Sequence, residues 1–226
     1  KLIVKFNSNL GEGTMSDQEF SYGVSQKINK NTYTKQGYEF TGWNTKADGS
    51  GTTYADKASV KNLSSTNGAT VTLYAVFVRN AYTVTWDVEG STSTTKVEYG
   101  KAPTTTLKPT KTATAEYTYT FAGWSLTSGG SVVDLTTQTI KANTTYYAVF
   151  TATTNKYTII WENADGTVLE TDKNVAYGAT PSYNGSTPTK TGYTFKAWSP
   201  TIASVTGNAT YNATYTANTY TIDRKS

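Results

Sequence analysis

Four short motifs occur three times in this chain, always in the same order. The first is an alternating five-residue stretch: Leu2-Ile3-Val4-Lys5-Phe6, Tyr82-Thr83-Val84-Thr85-Trp86 and Tyr157-Thr158-Ile159-Ile160-Trp161. The second is a Tyr-Gly pair at Tyr22-Gly23, Tyr99-Gly100 and Tyr177-Gly178. The third is an aromatic stretch ending in tryptophan, running from Tyr38 to Trp43, Tyr119 to Trp124 and Tyr193 to Trp198. The fourth is a closing stretch: Leu73-Tyr74-Ala75-Val76-Phe77, Tyr146 to Phe150 and Tyr211 to Tyr215. A fixed order of motifs marks a repeat array, in which each repeat is one supersecondary unit. The units implied are 1–80, 81–155 and 156–219. Tyr220-Thr221-Ile222 then reads as the opening of a further repeat, 220–226.

Period-two alternation makes the first and last motifs half-buried strands. In the first repeat the spacing predicts strands over 2–7 and 38–45, one ending at Tyr22, and one over 70–78. Residues 24–37 read as polar and irregular. Tyr38 and Phe40 share a parity that Trp43 does not, and a small residue precedes each tryptophan (Gly42, Gly123, Ala197). A bulge or a close backbone approach there would bring Trp43 and Phe40 to one core. Trp43, Trp124 and Trp198 are the expected core centres. The distance from tryptophan to closing strand shrinks along the chain, which places the length variation in a surface loop. Pro103, Pro109, Pro181 and Pro188 forbid an ordinary helix in the middle segments. One short helical turn near Asp56–Leu63 is expected.

Composition fits a mainly β class, with a small α+β unit as the alternative. Charged residues are 16 % and aromatics 13 %, so Thr, Tyr and Trp stand in for charge and aliphatic bulk. A net charge of +4 with scattered Lys and Arg points to no nucleic-acid partner. No apolar run is long enough for membrane insertion. With no Cys and no His, there is no disulfide framework, no thiolate metal site and no histidine base.

The first repeat, through Gly37-Tyr38-Glu39-Phe40-Thr41-Gly42-Trp43-Asn44, the turn Ala47-Asp48-Gly49-Ser50-Gly51-Thr52 and the close Leu73–Phe77, resembles the Listeria–Bacteroides repeat of bacterial cell-surface proteins, the B-repeat type. The second and third repeats keep the Tyr-Gly and aromatic–Trp elements but lose the Asp-Gly-Ser-Gly turn. The resemblance implies β-grasp-like modules in secreted or cell-wall-associated bacterial proteins, where such repeats sit between a functional tip and an anchor.

The carboxylate pairs Asp17/Glu19, Asp87/Glu89 and Glu170/Asp172 do not occupy equivalent places in the repeat, so they read as strand faces rather than as a repeated acid–base site. Asp48-Gly49 and Asp165-Gly166 lack the alternating oxygen ligands of a calcium loop and read as turns. No catalytic residue, cofactor site or metal site is expected. The leading reading is a non-enzymatic stalk or spacer, monomeric and elongated, in an extracellular, adhesin-like protein of the bacterial surface. The alternative is a module binding a glycan or a host protein through Tyr74, Tyr147 and the long loop 44–70. Both tyrosines lie opposite the core parity, where a ring can stack on a sugar or a protein partner.

Overall fold

A computed structural model describes residues 1–223. The first repeat contributes β1 (Leu2–Asn7), β2 (Gln18–Phe20), β3 (Gln26–Lys27), β4 (Tyr38–Asn44), β5 (Thr53–Tyr54), β6 (Ser59–Val60) and β7 (Thr70–Arg79). The second contributes β8 (Ala81–Val88), β9 (Ser91–Glu98), β10 (Tyr117–Ser125) and β11 (Thr144–Thr154). The third contributes β12 (Lys156–Glu162), β13 (Val168–Ala176), β14 (Tyr193–Ser199) and β15 (Ala209–Ala217). The main sheets run β2-β1-β7-β4-β5, β10-β11-β8-β9 and β13-β12-β15-β14, and each draws its strands from one repeat.

Each repeat therefore places its opening strand beside its closing strand, and the two run parallel. A parallel pair needs a long crossover, which is usually a helix. The order second, first, last, third is that of a β-grasp sheet, as the resemblance implies. The described residues contain no α-helix, however, and only a short 3-10 turn at Leu135–Thr137. The helical turn expected near Asp56–Leu63 is replaced by β6, which pairs with β3. Extended crossover chain covers the core instead. Ile28 and Tyr33 are buried, although 24–37 reads as polar, and the Tyr33 hydroxyl donates to the Phe6 carbonyl at 2.9 Å. In the second repeat Pro103 and Ile140 are buried in the crossover. Proline suits this role because its fixed φ keeps the covering chain extended.

The expected irregularity in the third strand is present. The pairing of β4 with β7 shifts between Phe40 and Gly42, and that of β14 with β15 shifts between Phe195 and Ala197. The shift flips parity, so Phe40 and Trp43 meet with ring centroids 5.1 Å apart. Gly42 has φ 152°, and a Cβ there would lie 2.7 Å from the Tyr54 carbonyl oxygen.

Trp43 is fully buried and Trp124 nearly so, but Trp198 is only half-buried. The centre of the third core is Trp161 on β12, an inner strand, whereas β14 is an edge strand. Trp86 plays the same part in the second repeat. Loop length explains the gradient. The segment after Trp43 is long enough to supply β5, the segment after Trp124 supplies only a bridge to Val133, and the segment after Trp198 supplies neither.

The joints between successive repeats are short. One residue, Asn80, separates β7 from β8, and one residue, Asn155, separates β11 from β12. By density of contacts the chain forms two compact units. One comprises Lys1–Leu107 with Trp124–Ala148, and the other comprises Lys108–Gly123 with the chain from Val149 onward. Asn80 lies inside the first unit and Asn155 inside the second. Residues 218–223 form no strand, and 224–226, the rest of the expected further repeat, lie outside the described residues.

Candidate functional site

Tyr74 lies on β7 with its side chain on the face opposite Leu73 and Ala75, and it is half-buried rather than exposed. Its register partners are Asn7 on β1 and Asn44 on β4. Tyr147 occupies the equivalent place on β11, also half-buried, opposite Asp87. The third repeat places exposed Asn212 there, between Glu162 and Ser199. An aromatic ring flanked by amide or carboxylate groups can stack on a sugar. Only two of the three repeats supply that ring, so it is not a site that every repeat carries.

The long loop 44–70 is organised by Asn44, which is buried yet fully bonded. Its Nδ2 donates to the carbonyls of Gly49 and Gly51 and to the Thr53 hydroxyl, and its Oδ1 accepts from the Lys46 and Gly51 amides. One side chain thus ties together the turn that closes the β4–β5 hairpin. The second repeat uses Ser125, likewise buried, whose Oγ accepts from the Thr127 amide at 3.2 Å. Neither residue stands out in the sequence, although Asn44 just before an Asp-Gly-Ser-Gly run is the signal that could have found it.

The carboxylates have structural partners. Glu19 pairs with Lys1 at 2.7 Å, and Asp87 accepts from the Gly90 amide at 2.6 Å. Asp172 accepts from the Trp161 indole at 2.8 Å. Asp48, Asp134 and Asp165 are turn residues accepting from Ser50, Thr136 and Thr167, and these hydrogen bonds hold each below the ordinary carboxylate range. Desolvation pushes Glu170 up, but hydrogen bonds led by those from Asn184 outweigh it and leave the group lowered. Among the described residues no three of Asp and Glu converge on a point where they could hold a metal ion. No helix of the described residues is long and apolar enough to cross a membrane.

These features define a series of small β sheets, one to each repeat and each with its own aromatic cluster. The Listeria-Bacteroides repeat domain matches at residues 3–76, 82–149 and 157–222, nearly the whole chain. The chain belongs to that family. It is 37 % identical over 138 residues to internalin H of Listeria monocytogenes, covering 59 % of this chain and 23 % of that protein. It is 30 % identical over 213 residues to a protein of Evansella cellulosilytica named as a Gly-rich membrane protein, covering 87 % of this chain and 23 % of that one. The chain therefore spans about a quarter of the length of these relatives.

Proposed function

We propose that this chain is a non-enzymatic spacer segment of a bacterial cell-surface protein, three repeats laid in succession to set the distance of something else from the cell. The observation that carries the reading is the joint. One asparagine links each repeat to the next, and its backbone is bonded on both sides. The Asn80 amide donates to Gly37 at 2.9 Å, and its carbonyl accepts from the Tyr99 amide at 2.8 Å. The Asn155 amide donates to Glu116 at 2.8 Å, and its carbonyl accepts from Tyr177 at 2.9 Å. A spacer needs such slack-free joints; a flexible tether would use Gly and Ser. Family membership and the likeness to internalin H support a place at the surface.

The test is a length measurement. Joining Asn80 directly to Lys156 deletes one repeat and recreates the sequence context of the second joint. Fluorescence energy transfer between cysteines introduced at the two ends should report a span shorter by one module diameter, about 29 Å. An unchanged span contradicts the spacer. Saturable binding of a glycan or a host protein, abolished by Tyr74→Ala, would put the binding-module reading in its place.

A further inference from the structure

The pairing of the terminal strands has a mechanical consequence. In the first repeat β1 and β7 run parallel with Ile3–Asn7 opposite Thr70–Tyr74. In the second, Val84–Asp87 lie opposite Thr144–Tyr147, and in the third, Ile159–Glu162 lie opposite Ala209–Asn212. The chain enters each repeat at the start of the opening strand and leaves past the end of the closing strand. Because the pair is parallel, entry and exit lie at opposite ends of one ladder. Tension applied through the chain slides the two strands past each other, so the hydrogen bonds between them share the load and must fail together. An antiparallel terminal pair would be peeled one bond at a time.

We infer that each repeat is a tension-bearing clamp, with the parallel first and last strands as the element loaded in shear. The same arrangement in all three repeats argues that it is part of their work. The core reinforces it, because the facing residues of the two strands carry the buried aromatics. Trp86 and Tyr146 stack with centroids 5.3 Å apart, and Trp161 and Tyr211 do so at 4.8 Å. Sliding the strands by one register therefore also pulls a ring stack apart. The joints pass load from clamp to clamp without a slack segment, since a single residue lies between the closing strand of one repeat and the opening strand of the next. Covalent succession puts the clamps in series. The inference gives the spacer reading a load to carry and rests on it for biological context, while the clamp itself rests on strand geometry.

The experiment is single-molecule pulling on the full chain in two directions. The chain has no cysteine, so introduced ones are unique handles. Lys1→Cys with Arg79→Cys loads β1 against β7 in shear. Lys1→Cys with Thr66→Cys pulls from one end of the ladder, where the Gly68 amide donates to the Lys1 carbonyl at 2.7 Å, and peels it. All three positions are exposed, and equal thermal melting of both variants establishes that they are equally folded. Forced unfolding reads the unfolding barrier, so equal stability does not imply equal force. The shear pair should rupture abruptly at several times the force of the peeling pair. Handles at Lys1→Cys and Thr219→Cys should give three such ruptures. Equal forces in the two directions, or gradual extension at low force, overturn the clamp. That failure would leave the unloaded length measurement standing. A clamp that holds beside an unchanged length on deletion would remove the spacer reading alone.

Discussion

At the residue scale the tryptophans are not interchangeable, although the sequence presents Trp43, Trp124 and Trp198 as equivalents. Trp161→Ala empties the centre of the third core and should cost about 3–5 kcal/mol. Trp198→Ala, at a half-buried edge position, should cost about 1–2 kcal/mol. Urea denaturation followed by near-ultraviolet circular dichroism ranks the two, and a Trp198 effect as large as that of Trp161 would contradict the burial gradient. The indole nitrogens differ as well. Trp86 donates to Thr95 at 3.0 Å and Trp161 to Asp172, whereas the buried Trp43 nitrogen has no partner among the described residues. Trp43→Phe removes an unsatisfied donor worth about 1–3 kcal/mol while giving up ring volume, so the two effects largely offset. Trp161→Phe strands Asp172 and should be clearly worse in the same assay.

Protonation follows the same logic. Glu19, Asp48, Asp134, Asp165 and Glu170 all have lowered pKa values in the fold. Their stabilisation is complete above the unfolded carboxylate values, about pH 4, and fades as pH falls through the lowered folded values. Desolvation raises Tyr33 and Tyr146, so they favour the fold below the unfolded phenol value of about 10 and lose that contribution as pH rises through the folded one. No histidine is present to titrate in between. The melting temperature should be flat from about pH 5 to 9 and fall on both sides. A step near pH 6.5 would contradict this assignment.

At the scale of the element, the joints carry the sharpest prediction. A Cβ on Gly37 would run into the Tyr99 ring, whereas one on Gly192 would meet nothing among the described residues, and both glycines have φ close to 78°. Gly192→Ala should therefore show only backbone strain, about 1–2 kcal/mol. Gly37→Ala should cost more and destabilise the first and second repeats together, seen as faster hydrogen exchange at the Asn80 and Tyr99 amides. Equal effects would mean that the ring does not rest on Gly37. Strands were readable because their alternation is local: the expected 2–7, 38–45 and 70–78 became Leu2–Asn7, Tyr38–Asn44 and Thr70–Arg79. The bulge before tryptophan was readable from the parity conflict with Phe40. The crossover was not, because Ile28 and Tyr33 sit among polar residues with no period, and their burial is decided by the sheet they cover. The half-burial of Tyr74 and Tyr147 was also out of reach, since parity gives a face but not what covers it.

At the scale of the whole molecule, the proposed spacer role requires that the three repeats stand in succession rather than collapse onto one another. Small-angle scattering is the plainest check, because it needs no label and no variant. Three modules of about 75 residues in line give a radius of gyration near 26 Å, against about 17 Å for one globule of this length. A spacer should give the larger value, with a pair-distance distribution skewed to long distances. A value near 17 Å with a symmetric distribution would contradict it.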